Sequence, residues 1–259
     1  RILILEEING KLVQLIDEDG EPFEDDRSPE LEKLIGILGT SFDYVIAESG
    51  GTQRIAILFD TRFAQLNAAC ETNFRNIKVE KKGLFDRQPL YGHFTFLVDG
   101  NPRNDLVVVG VHLASGQMHK KNHDQAMRKL VKELSDSREE EFCIPGDELD
   151  VLIAGDFNAN RFDDQFVEEF WDDVEGDGWD ILGDDGNTYS ATRLSGTPLG
   201  LTKSKIDYII VSDGLAGEEI VAIAPTIHKE LVTNADQFRL MASDHLPVTV
   251  EVKVTDDTD

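Results

Sequence analysis

The sequence predicts an α/β fold, on three observations. Short apolar runs recur along the chain, at Ile2–Leu5, Ile55–Phe59, Leu106–Val111 and Val151–Ala154, and runs of that length read as strands buried on both faces. Between them, Leu31, Leu34, Ile35 and Leu38, and later Ala126, Met127, Leu130, Val131 and Leu134, fall at helical spacing. No internal repeat, low-complexity tract or linker divides the 259 residues, so 1–259 reads as a single domain.

Taken in order, Ile2–Leu5 is a strand that runs into Glu6-Glu7-Ile8. Residues 17–30 make an acidic loop, and Ser28-Pro29 is a start signal for the first helix. Tyr44–Ala47 and Ile55–Phe59 read as strands joined at Gly50-Gly51. Residues 61–88 are less regular. Beyond Arg87-Gln88-Pro89 an alternating strand sets Phe94, Phe96 and Val98 on one face, Asn101–Asn104 turns, and Leu106–Val111 is a buried strand. The second helix covers 122–134, and 135–149 is a charged connection to the strand Val151–Ala154. Phe162–Val174 reads as a short acidic helix and 176–187 as a Gly/Asp-rich loop. Lys205–Val211 is a strand with one embedded acid, Asp207, and Val248–Val252 is the last strand.

Charge narrows the function. Fifty-one acids against 25 Lys+Arg give a formal charge of −26, a highly solvated surface that argues against tight, non-specific binding of a polyanion. Divalent metals and local basic groups would have to offset it. The compact basic patch is His119, Lys120, Lys121 and His123; such a patch is usually plain surface, but in so acidic a chain it is a natural contact for phosphate. Cys70 and Cys143 lack zinc-site spacing, and they suit one disulfide as well as two buried thiols. No apolar run reaches the roughly 18 residues of a membrane-spanning helix, and Arg1–Leu5 enters a strand directly, which is not a signal-peptide pattern.

The informative residues are those that end the core strands. After Val151–Ala154, Gly155 stops the apolar run and Asp156 and Asn158 follow two positions apart. An acid there can hold a divalent cation or an attacking water, and an amide can grip a phosphate oxygen or that water. An ordinary Asp/Asn turn accounts for the same residues. Glu6-Glu7 end the first strand, and His112 ends Leu106–Val111. Asp207 lies in an apolar strand, where a lone acid is costly unless paired or ligating. Asp244-His245 precede the last strand, and a histidine needs an orienting carboxylate to act as base or imidazolium.

On these residues the chain resembles the endonuclease/exonuclease/phosphatase superfamily, which includes deoxyribonucleases, exonuclease III-like enzymes, sphingomyelinases and inositol polyphosphate 5-phosphatases. The segments are Leu5-Glu6-Glu7-Ile8, Val111-His112-Leu113, Gly155-Asp156-Phe157-Asn158, Ile206-Asp207-Tyr208-Ile209 and Ser243-Asp244-His245-Leu246-Pro247-Val248. Each is weak alone; five in this order across nearly the whole chain are specific. The resemblance implies a four-layer α/β sandwich, two packed, mostly antiparallel mixed sheets flanked by helices, with the site where strand ends converge. It implies Glu7 as the principal Mg²⁺ ligand, Asp156 positioning the nucleophile or a metal, and Asn158 bonding the phosphate or water. Asp207 would pair with His245, Asp244 would be a further metal or water ligand, and His112 would contact the scissile phosphate. Thr188-Tyr189-Ser190 matches a substrate-facing loop, which makes Tyr189 a substrate-binding candidate beside Lys120 and Lys121; Arg54 and Arg87 read as structural. Two departures stand out. The family's first strand, ending in an Asn, would precede Arg1, and Glu6 stands where Gln is customary, so the choice of Glu7 over Glu6 rests on alignment.

The implied activity is hydrolysis of a phosphodiester, most readily in nucleic acid, by in-line attack of water. A hard cation answers the negative charge and the poor leaving group. Carboxylates with an amide and no cysteine cluster suit Mg²⁺, or Mn²⁺, better than Zn²⁺. The alternatives are a phosphatase or lipid phosphodiesterase of the same superfamily, or an inactive binding module on the same scaffold. The 5-phosphatase branch is disfavoured, because it carries a Trp-Cys-Asp-Arg-type segment where this chain has Lys205-Ile206-Asp207-Tyr208.

Overall fold

Strand parity sorts the apolar residues into layers. A computed structural model describes residues 1–8, 13–16, 22–25, 28–50, 53–67, 74–77, 85–115, 120–136, 150–159, 179–182, 206–212, 215, 220–222, 225–228, 245 and 247–254. Strand β1 (Ile2–Ile8) is followed by β2 (Val13–Ile16), β3 (Pro22–Asp25), α1 (Pro29–Leu38), β4 (Phe42–Ile46) and β5 (Arg54–Asp60). Next come β6 (Ala64–Leu66), β7 (Phe74–Asn76), β8 (Leu90–Val98), β9 (Asn101–His112), α2 (Lys120–Asp136) and β10 (Val151–Asp156). Then follow β11 (Trp179–Ile181), β12 (Asp207–Ser212), β13 (Ile220–Ala222), β14 (Thr226–Ile227), β15 (Val248–Thr249) and β16 (Val252–Val254).

Two of the sheets build the sandwich. The smaller has the order β1-β5-β4 and is antiparallel; the larger runs β11-β12-β10-β9-β8-β6, with β7 also on β8. Among the described residues of the larger sheet only the β9–β10 pair is parallel, with α2 lying between them in sequence, the crossover that a parallel pair needs. On β5, Ile55, Ile57 and Phe59 face the larger sheet, meeting Leu90, Phe94, Leu106, Val108, Leu152, Ile209 and Val211. The alternate residues Ala56 and Leu58 pack with Leu31 of α1. On the far side, Val107, Val109, Val111, Val151 and Ile153 pack against Ala126, Met127, Leu130 and Leu134 of α2. The layers are therefore helix, sheet, sheet, helix, the expected four-layer α/β sandwich. Truncating a fully buried member such as Ile57 costs about 2–5 kcal/mol.

Local chemistry sets the ends. Ser28 accepts the amide hydrogen of Leu31, with Pro29 in the first turn of α1, a cap suited to the unpaired amides there. Gly110 lets the sheets approach: a Cβ at this position would lie 2.6 Å from Ile55 Cγ2 and 3.1 Å from Ile4 Cγ2.

Several expectations are corrected. Ile2–Leu5 is a strand, but not one buried on both faces: among the described residues β1 pairs only with β5, and Leu3 is 37% exposed. Val98 does not share the burial of Phe94 and Phe96, because a register shift between Phe96 and Leu97 ends that alternation and leaves it 42% exposed. The last strand is two short ones, β15 and β16, separated at Val250-Glu251. His123 is not part of a surface patch; it is buried, with its Nε2 2.7 Å from the Ala114 carbonyl oxygen. The side chains of Lys120 and Lys121, with His119, Cys70, Cys143, the 162–174 segment and the 176–178 and 183–187 parts of the Gly/Asp-rich loop, lie outside the described residues.

Candidate active site

The same parity that builds the inter-sheet core delivers polar groups to its end. On β10, Leu152 faces the smaller sheet, so Asp156, four residues on, faces the same way; on β12, Ile209 and Val211 do so, and so does Asp207. Leu106 and Val108 fix the side of His112 on β9, and Ile2 and Ile4 that of Glu6 on β1. The ladder then aligns them: Asp156 is opposite His112 on one neighbour and opposite Asp207 on the other. These groups line a cleft of about 1860 Å³ between the sheets, together with His245.

Asp156 is the hub. Its Oδ2 lies 3.7 Å from His112 Nε2 and 3.9 Å from His245 Nε2. Asn158 clasps it twice, its backbone amide donating to Oδ1 at 2.7 Å and its Nδ2 to Oδ2 at 2.8 Å. The same Nδ2 donates to the Leu113 carbonyl at 2.8 Å, so both amide hydrogens orient protein groups and Oδ1 is the atom left to accept from a water. Asn158 adopts φ +48°, a left-handed conformation that asparagine tolerates better than most residues. The turn geometry and the reactive geometry are thus one structure.

Two imidazoles flank the hub. His245 Nδ1 lies 3.0 Å from both carboxylate oxygens of Asp207; with Nδ1–H donating, Nε2 faces Asp156. His112 is 5% exposed, and its Nδ1 has no partner among the described residues. Burial first, then the nearby Arg87 guanidinium and His245, push its pKa down to about 4, so at neutral pH His112 is an uncharged ring.

The two acids at the end of β1 part company. Glu6 turns inward, and its Oε1 accepts the Asp156 backbone amide hydrogen at 2.6 Å. Burial, together with the Asp156 and Asp207 carboxylates, holds its carboxyl well above the usual range. Gly155 makes that approach possible: a Cβ there would sit 2.3 Å from Glu6 Oε1 and 2.0 Å from the Val111 carbonyl oxygen, on a backbone with φ +143°. Glu7 follows a register shift in β1, has φ +57°, and is exposed at the rim, where its Oε1 accepts from Gln53 Nε2 at 2.9 Å. Arg87 donates to the same Gln53.

Ligand atoms of Glu6, His112 and Asp156 lie within 4.8 Å of one another, as do those of Asp156, Asp207 and His245. A divalent cation fits such a donor set, and it would relieve the like-charge crowding that adds to burial in raising Glu6. Glu7 belongs to neither group. Asp244 and Tyr189 lie outside the described residues. Glu6 was visible in the sequence as the residue in step with Ile2 and Ile4; nothing there says which face looks into the cleft.

No family model and no curated protein sequence matches the chain. Solved structures do. TDP2 of D. rerio in complex with a single-strand DNA product superposes with a TM-score of 0.62 at 14% identity, covering 98% of this chain and 86% of that one. The human Nocturnin catalytic domain with a bound sulfate anion gives 0.60 at 14%, over 98% and 81%. The 3'-5' exonuclease NExo from Neisseria meningitidis gives 0.58 at 16%, over 96% and 88%. The layered sheets, the converging strand ends and these superpositions agree: the chain has the fold of the endonuclease/exonuclease/phosphatase superfamily.

Proposed function

We propose that the chain is a Mg²⁺-dependent phosphodiesterase, acting by in-line attack of water, with nucleic acid as its substrate. The observation that carries this reading is the register His112–Asp156–Asp207 across three neighbouring strands, with His245 closing on Asp156 from outside the sheet. A bare Asx turn does not need two imidazoles and two further carboxylates around it. The relatives of known structure include a single-strand DNA complex and a 3'-5' exonuclease, which supports nucleic acid over a lipid-linked diester.

Asp156, with the acids at the end of β1, Glu6 on the inner side and Glu7 at the rim, and with Asp244, would hold the cation. Mn²⁺ suits the same oxygen-rich donors. When bound, the ion supplies charge neutralisation at the phosphate and at the leaving oxygen. The chain's own groups do the rest. Asp156, locked by Asn158, accepts a hydrogen bond from the attacking water and draws off its proton. Asp207 keeps the proton of His245 on Nδ1 and favours the charged ring once Nε2 is protonated. His112, neutral and buried, offers a hydrogen bond to a phosphate oxygen without adding charge. Tyr189, Lys120 and Lys121 are the remaining proposed substrate contacts.

The test is hydrolysis of bis-p-nitrophenyl phosphate, plasmid and single-stranded oligonucleotide with Mg²⁺ and with EDTA. Cleavage that EDTA abolishes and that Asp156→Ala lowers by about a thousandfold or more is expected. Metal-independent cleavage, or an Asp156→Ala variant as active as the parent, overturns the reading.

A further inference from the structure

Arg87, which the sequence presents as structural, carries a charge that no described carboxylate answers. Among the described residues its side chain donates to the Gln53 side-chain oxygen, and its Nη1 is buried with no partner. Arg62 shows the usual arrangement in so acidic a chain, donating to both carboxylate oxygens of Asp60. Gln53 is engaged on its other side as well, where its Nε2 donates to Glu7 Oε1 at 2.9 Å. A neutral amide thus stands between the guanidinium and the Glu7 carboxylate, and it leaves the charge of Arg87 uncompensated. The backbone sets this group on the His112 side of the mouth. Arg87 comes three residues before Leu90, which stands opposite Gly110, and His112 comes two residues after Gly110. The Gln88 amide donates to Ser49 Oγ at 2.9 Å and the Pro89 carbonyl accepts from the Ile77 amide at 2.8 Å, so the segment is anchored. Burial first, and then the Arg87 charge, lower the His112 pKa, which puts the two side chains within electrostatic reach. His112 Nδ1 is likewise buried without a partner among the described residues. Two such nitrogens on one flank, one of them on a cation, suit a ligand rich in acceptor oxygens and negative charge.

We propose that Arg87 holds a phosphate group of the substrate next to the one cleaved, on the His112 flank, and that Gln53 keeps this subsite open by being uncharged. The proposal rests on the phosphodiesterase reading above for the identity of its ligand. Affinity for a phosphate rests on basic groups, and the mouth itself is lined by acids. A guanidinium fork meets two phosphate oxygens at once. A glutamate at position 53 would pair with Arg87 and cancel it, whereas glutamine orients the same group and leaves its charge to the ligand. A polynucleotide uses the subsite; a diester with a single phosphate does not.

The experiment reads binding of inorganic phosphate to the full chain in EDTA by calorimetry, against chloride at equal ionic strength, so it needs neither cation nor turnover. Arg87→Gln is expected to weaken phosphate by about tenfold or more, Gln53→Glu by a similar factor, and Arg87→Lys by less. Gln53→Glu gives Arg87 a partner and is expected to keep the parental denaturation midpoint, so it decides the matter if Arg87→Gln does not fold. With Mg²⁺, Arg87→Gln is expected to raise KM for a single-stranded oligonucleotide about tenfold more than KM for bis-p-nitrophenyl phosphate. Parental phosphate binding in Arg87→Gln or Gln53→Glu, or a parent that binds phosphate no better than chloride, overturns the subsite. Equal rises in the two KM values place Arg87 at the cleaved phosphate and overturn the neighbouring position. A parent that binds phosphate through Arg87 but hydrolyses neither substrate overturns the phosphodiesterase reading and the ligand drawn from it, which is a different result from either.

Discussion

The two flanks of Asp156 hold an imidazole in different ways. His112 and His245 place Nε2 at 3.7 Å and 3.9 Å from the same oxygen. On one flank the ring is carried by β9, paired in register with β10, and it is buried with no hydrogen bond of its own among the described residues. Backbone pairing fixes its position and desolvation fixes its charge, at zero. On the other flank the Asp207 carboxylate meets His245 at Nδ1, and the ring is a quarter exposed. There a side-chain pair orients the ring. The difference teaches that burial can hold a ring neutral, whereas a partly exposed ring takes its orientation from a carboxylate.

The largest test of that contrast is on the exposed flank. His245→Ala is expected to lower kcat by about 10²–10⁴-fold and Asp207→Ala by about 10–100-fold. The double variant should lose little beyond His245→Ala, since the carboxylate acts through the ring. Additive losses in a kcat comparison would separate the pair. Next in size is the join between the flanks. Gly155→Ala pushes a Cβ against Glu6 and the Val111 carbonyl, and denaturant unfolding should show a loss of more than about 2 kcal/mol; an unchanged midpoint would mean that the approach is looser than described.

The buried flank is tested by acid. The His112 ring falls from its ordinary 6.5 to about 4 on folding, so between those values the unfolded chain binds more protons. Stability from this group is complete above about 6.5 and is lost as pH falls to about 4, by up to about 3 kcal/mol. Glu6, held above its usual range, acts in the opposite sense, gaining as it protonates. The quantity to measure is therefore the difference in unfolding free energy between parent and His112→Gln, which should shrink as pH falls from 6.5 to 4. A flat difference would place a charged ring in the folded chain. The smallest effect is expected at the rim: Glu7→Gln, which keeps an acceptor for Gln53, should weaken Mn²⁺ binding less than Glu6→Gln does. A greater loss at Glu7 would restore the assignment that alignment alone gives it.

The strands and helices of the core were legible because the strands are apolar runs and the helices have clear periodicity; the four-layer sandwich followed from the resemblance carried by the polar strand ends. Ser28-Pro29 began α1, and Val151–Ala154 marked a central strand of the larger sheet. The polar strand ends were legible as positions too, since Asp156, His112 and Asp207 each interrupt or end an apolar run. Less was readable where a neighbour decides the outcome. The Ile2–Leu5 run looks as buried as Val151–Ala154, yet one is half-exposed and the other central. His123 looked like part of a basic surface, and is buried against the Ala114 carbonyl because its helix packs on the larger sheet.

By itself the sequence determined the core strands β5, β9, β10 and β12 and the polar groups at the ends of the last three, because apolar runs and the expense of burying a charge are properties of the local chain; β3, β6, β7 and β11 fall where it reads loop or irregular chain, and β9 takes in the expected turn at 101–104. Only the tertiary structure decided that Asp156 stands between His112 and Asp207, and that Glu6 rather than Glu7 looks inward. Those facts follow from strand register and from a backbone irregularity between Leu5 and Ile8. A one-residue shift would have reversed every face without changing a single letter.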